Sequence, residues 1–138
     1  MVRIILTATI GLLLVFDAQA NTVAQANTKG EIMSANGTFE DKLEPQDDQQ
    51  APAGRLIISK QYQGDLIGDG LGQMISKRID GGAAAYSAIE EFNGTLDGKK
   101  GAFTLIHRGF MDANSRELDI TILPGSGQGE LQSIRGTM

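Results

Sequence analysis

Three ionisable side chains, Lys60, Glu90 and His107, occupy positions where the alternation around them is otherwise apolar. Successive side chains of a strand point to opposite faces. Leu56, Ile58, Lys60 and Tyr62 therefore share one face, and Tyr86, Ala88, Glu90 and Phe92 another. Phe103, Leu105 and His107 share a third, Leu118, Ile120 and Ile122 a fourth, and Phe39, Asp41 and Leu43 a fifth. A charge buried alone costs several kcal/mol or more, so such groups need partners or water. If these faces line one interior, the three residues form a polar cluster in an apolar lumen. Such a cluster can orient the polar end of a ligand, with Tyr62, Tyr86, Phe92 and Phe103 as the wall. Glu90 or His107 could also move a proton in an isomerase- or cyclase-like reaction.

Other chemistries find little support. His107 is the only histidine, and a metal would need companions such as Glu90 or Asp41, so no metal site is expected. No Gly-x-Ser-x-Gly elbow is present, and Gly125-Ser126-Gly127-Gln128-Gly129 reads as a turn. The glycines at 68, 70 and 72 precede no Gly-Lys-Ser/Thr, which argues against a phosphate cradle. Adjacent Glu90 and Glu91 point to opposite faces of a strand and cannot work as an acid–base pair. Asn36-Gly37-Thr38 and Asn93-Gly94-Thr95 fit the glycosylation sequon but read as turn or strand residues. No cofactor is called for.

The elements that would hold these residues are strands. Period-two runs cover 34–44, 55–63, 66–79, 85–96, 102–111 and 117–123, and the tail 130–138 holds a turn and the start of a seventh strand. Pro45 stops the first run, and a polar loop follows between Pro45 and Pro52. Gly64-Asp65, Asp80-Gly81-Gly82 and Asp112-Ala113-Asn114 mark turns, and Asp97-Gly98 is a strong hairpin signal. Gly68 to Gly72 interrupts the third run and predicts a bulge or bend. Eighteen glycines and no long 3.6-residue stripe favour a small antiparallel all-β barrel over a helical bundle.

The first 20 residues read differently. Arg3, the uncharged and mostly apolar 13-residue run Ile4 to Phe16, and Ala18-Gln19-Ala20 match a secretory signal peptide cut after Ala20. The run falls short of the roughly 20 residues of a spanning helix, so no stable anchor is expected. Residues 21–32 read as a flexible leader and 33–138 as one barrel domain. Removing Arg3 and Asp17 together leaves the net charge at −5, which disfavours nucleic acid and anionic lipid. There is no cysteine, so packing alone must hold the exported domain together. A periplasmic or secreted location follows from this reading.

Several segments in order carry a resemblance: Gly37-Thr38-Phe39-Glu40, Lys60-Gln61-Tyr62-Gln63-Gly64-Asp65-Leu66, Tyr86-Ser87-Ala88-Ile89-Glu90, Gly94-Thr95-Leu96-Asp97-Gly98 with Gly101-Ala102-Phe103, His107-Arg108-Gly109, and Pro124 to Leu131. Over roughly 36–138 the chain resembles the bacterial family catalogued as domain of unknown function 3224. That resemblance implies a barrel similar to allene oxide cyclase, calycin-like in architecture, and implies no activity. Asp41 stands where the family usually has an apolar residue. The family pattern also continues past Gly136-Thr137-Met138 with a closing aromatic-rich strand. An incompletely closed barrel with an open edge is therefore expected. The leading expectation is a lumen that binds a small apolar molecule. The alternatives are a proton-transferring enzyme using Glu90 or His107, and a non-catalytic module whose open edge pairs with another chain, a second copy included.

Overall fold

The computed structural model describes residues 34–138 in full, together with the backbone of Ile4–Ala8 and Ala20–Ala26. Among these residues there is no helix. From Gly37 onward the chain runs as an antiparallel meander: β3 Gly37–Gln46, β4 Gly54–Gly64, β5 Leu66–Arg78, β6 Ala84–Leu96, β7 Lys99–Met111 and β8 Arg116–Ile122. The short β9 Gln128–Gly129 adds to β7, and β10 Ile134–Thr137 meets β8 through Thr137 and Thr121. These eight antiparallel strands form one curved sheet that does not close on itself, because β3 and β10 are not paired. Two segments lie in that seam. β1 Ile4–Ala8 runs parallel to Gly37–Phe39 and antiparallel to β2 Ala20–Ala26, which pairs along β10.

The expected strands are all present, with small shifts at their ends. Three differences carry physical reasons. Pro45 does not stop β3, because its missing donor is tolerated on a strand paired on one side only. Gly68 to Gly72 does not interrupt β5, which pairs without a bulge from Leu66 to Arg78. The part of the expected leader up to Ala26 is strand β2, where the backbone edge of β10 offers it hydrogen-bonding partners. Ile4–Ala8, inside the expected signal peptide, is strand β1, whereas Ala18-Gln19 and residues 27–33 lie outside the described residues.

Turn chemistry sets the register. Asp97 and Gly98 both have positive φ, 48° and 77°, as a two-residue primed hairpin turn requires. Asp112 Oδ1 accepts the N–H groups of Asn114 and Ser115 at 2.7 and 2.8 Å and so shapes the β7–β8 turn. With the register set, alternation sends one face of every strand inward. The main core gathers Tyr62, Leu66, Phe92, Leu96, Phe103, Leu105, Ile120 and Ile122, and is plugged by Leu131, Ile134 and Met138. A smaller cluster of Ile58, Met74 and Ala88, with Leu56 and Tyr86 against it, fills the other end.

Candidate functional site

Along β4 the order Ile58, Lys60, Tyr62 passes from the smaller apolar cluster to the larger one. Along β6 the order Ala88, Glu90, Phe92 does the same. The ionisable residues therefore sit between two oily layers. β5 lies between β4 and β6, so Glu90 must reach across it to meet Lys60. Glu90 stands opposite Gly72, and Lys60 opposite Gly70. Neither glycine carries a side chain, and the Glu90 carboxylate passes over them. A Cβ on Gly70 would stand 2.1 Å from Glu90 Oε1 and 3.0 Å from the Tyr62 ring. Gly70 and Gly72 of β5 thus leave room for a side chain from the neighbouring strand.

Glu90 is completely buried. Lys60 Nζ donates to its Oε2 at 2.7 Å, and the Tyr62 hydroxyl donates to its Oε1 at 2.6 Å. Lys60 Nζ also donates to Tyr62 Oη at 3.3 Å and lies 4.6 Å from the centre of the Phe39 ring, a cation–π contact. His107 is on β7, two residues from Leu105, the cross-strand neighbour of Glu90. Its Nε2 lies 3.0 Å from Glu90 Oε2, yet this contact lacks hydrogen-bond geometry and Nε2 is left with no hydrogen-bond partner.

The electrostatics follow from burial and neighbours. Burial pushes the Glu90 carboxyl up, but the Lys60 ammonium and His107 together outweigh it and bring it down to about 2. Burial, helped by Lys60, lowers His107 below its ordinary value of 6.5, against the upward pull of Glu90. Burial first, then the Glu90 charge, holds the Tyr62 hydroxyl well above its ordinary range. The same two causes push Tyr86 up to about 12. At neutral pH the interior therefore holds an ionised Glu90 beside Lys60, a protonated Tyr62 and a neutral His107.

Of the sequence-predicted residues, Lys60, Tyr62, Glu90 and His107 come together. Phe92 and Phe103 continue from Tyr62 as a chain of ring contacts, edge-on at 5.5 Å and then tilted at 4.8 Å between ring centres, and both are buried in the main core. Tyr86 belongs to the opposite cluster, its ring filling the space left by Gly109. Three contributors lie outside the sequence reading. Gly70 and Gly72 were read as marks of a bend, although their period-two spacing already put them on the inner face. Phe39, which covers the Lys60 ammonium, was legible as an inner residue but not as that cation's neighbour. Asp41 faces the same interior directly opposite Lys60 and yet is exposed, so the inner face is open to solvent along β3. Among the described residues no three His, Cys, Asp or Glu side chains gather as a metal site would require.

The fold has a counterpart among solved structures. A solved protein of unknown function from the DUF3224 family of Shewanella oneidensis MR-1 is 31% identical. It matches with a TM-score of 0.69, covering 86% of this chain and 84% of that one. No curated protein matches. The model of the family described as Protein of unknown function (DUF3224) matches residues 33–138, and the chain belongs to that family.

Proposed function

We propose that this protein is an exported barrel that binds a small, largely apolar molecule. Lys60, Glu90 and His107 would hold the molecule's polar end, and Tyr62, Tyr86, Phe92 and Phe103 would supply the apolar surround. One observation carries the reading: a fully buried carboxylate is ringed by Lys60, Tyr62 and His107 between two apolar layers, and the imidazole Nε2 has no hydrogen-bond partner. A buried polar atom without a partner costs about 1–3 kcal/mol, and a ligand group that bonds it recovers that cost. The exposed inner face at Asp41 supports entry from the seam. Export rests on Arg3, the apolar run and Ala18-Gln19-Ala20; cleavage after Ala20 would remove β1 and keep most of β2. The test is native mass spectrometry of the purified chain with decanoic acid, decanol and decylamine. At least one should bind to the wild type and be lost from Lys60→Met/Glu90→Gln. Failure of all three, or equal binding to the double variant, sinks the proposal.

A second reading, proton transfer on a bound substrate, is favoured by one specific feature. His107 is a neutral imidazole at pH 7, buried beside the Glu90 carboxylate, which can orient it for proton transfer. Glu90, held near 2, is too weak a base for that role. This reading predicts turnover that His107→Ala abolishes; turnover surviving in that variant would rule it out.

A further inference from the structure

The outward face of β5, β6 and β7 carries large aliphatic side chains that a monomer would leave in water. Leu71 is 60% exposed, Ile75 58%, Ile89 60% and Ile106 41%. Their arrangement follows from the register. Gln73, Ile89, Ile106 and Thr121 form one row across β5, β6, β7 and β8. Two residues along the strands in one direction stand Leu71, Glu91 and Thr104. Two residues in the other direction stand Ile75, Ser87, Arg108 and Asp119. The patch is therefore apolar at Ile89 and Ile106 in the middle of its central row and on both β5 flanks, with Glu91 at one end and Arg108, 3.7 Å from Asp119 of its own chain, at the other. Contiguous exposed apolar surface of this kind marks an interaction site.

We infer that this face is the interface of a two-fold dimer, the occupant being a second copy of this chain. The pattern is self-complementary about an axis lying along the central row. Rotation about that axis sets Ile89 and Ile106 on their own counterparts and Leu71 on Ile75 of the second copy. It also brings Glu91 on β6 beside Arg108 on β7 of the second copy, one strand spacing away, and makes that contact twice. An isologous interface requires this kind of patch, complementary to itself. Two sheets packed face to face keep their strands nearly aligned, which this rotation also satisfies. An anionic membrane is a poor rival occupant, because the chain carries a net charge of −5. The apolar row supplies the affinity. The rim pairs fix the orientation and contribute less, because Arg108 and its neighbour Asp119 are largely exposed. The inference does not depend on what the interior binds.

Sedimentation equilibrium of the purified chain over the micromolar range tests it. The wild type should be a dimer. Ile89→Lys sets two like charges on the axis and should weaken association at least ~100-fold. Arg108→Glu and Glu91→Arg should each weaken it about tenfold, and the double charge swap should restore it. Thermal melts verify that these surface variants are folded; should Ile89→Lys not fold, the charge swap alone decides. A wild type that stays monomeric overturns the inference. So does a dimer indifferent to all three single variants, which would place the contact elsewhere. Binding of a monomeric wild type to phosphatidylcholine vesicles, lost in Ile89→Lys, would assign the face to lipid and equally overturn it.

Discussion

Neutralising Glu90 leaves the Lys60 ammonium buried with only the Tyr62 hydroxyl and an aromatic face. Removing one partner of a buried pair typically costs about 3–5 kcal/mol, because the survivor is an uncompensated charge. Glu90→Gln and Lys60→Met are each expected to destabilise the fold by that order in urea unfolding. The double variant should lose clearly less than the sum, since neither charge remains. Additive losses would show that the two side chains do not interact. The titrations give a second expectation at this scale. Glu90 lies lower in the fold, about 2, than its ordinary 4.5, and His107 lies below 6.5. In both cases the unfolded chain binds the proton first on acidification, so stability is present above the ordinary value and is lost as pH falls. Tyr62 and Tyr86 are raised above 10, so the unfolded chain releases its proton first and stability falls as pH rises past 10. Chemical denaturation across pH should show a plateau between about 6.5 and 10, declining on both sides. A stability maximum near pH 4 would contradict the assigned charge states.

β5 serves the interior by what it lacks. It separates the strands bearing Lys60 and Glu90, and the carboxylate reaches Lys60 across position 70 because no side chain stands there. The hairpin register makes this a property of the element: Lys60 opposite Gly70, and Glu90 opposite Gly72. Gly70→Ala would force a methyl into the carboxylate, 2.1 Å from Oε1, with no exit for Glu90 between Tyr62 and His107. We expect a loss of about 1–3 kcal/mol, as for other overpacked interiors, and an upward shift of the Glu90 carboxyl as its contact with Lys60 lengthens. Carboxylate titration by NMR, together with urea unfolding, measures both. An unperturbed variant would mean that Glu90 does not cross β5 where the structure has it.

Across the whole molecule, protection should follow pairing. β6 is paired along its full length on both sides, β5 along its full length with β6 and from Gly68 to Ser76 with β4, and β4 and β7 over most of theirs. On β3 the stretch Glu40–Gln46 pairs only with β4 among the described residues, and β10 pairs along its length only with β2, touching β8 at a single residue pair. Hydrogen exchange should be slowest in β5 and β6, and much faster in Glu40–Gln46 and Ile134–Thr137. Equal protection of Glu40–Gln46 and β5 would require another chain segment along that edge. The free part of β3 carries Lys42, Glu44 and Pro45, with Lys42 and Glu44 in contact as an ion pair. Charges and proline on an edge oppose strand addition. The interaction reading of the open edge is thereby weaker than the outer face of β5 to β7 as a place for a second copy.

The amino-acid sequence alone determined the elements and their faces. Alternation is a local consequence of the pleat, so Lys60, Glu90 and His107 could be assigned inward from their own strands without knowing what stood opposite. Asp97-Gly98, Asp112 and the glycine pairs similarly placed the turns, because their backbone preferences are local. Whether three inward groups on three strands touch is not local. It depends on register between strands, on curvature, and on which intervening residues leave room, so the glycines of β5 looked like a break until Glu90 was seen lying across them. The exposure of Asp41 was hidden for the same reason: a residue can face inward and still meet water when, as here among the described residues, no second strand pairs along its edge. Pairing across the sheet, a long-range matter of backbone hydrogen bonds, decided which inward charges became a buried cluster and which one stayed in solvent.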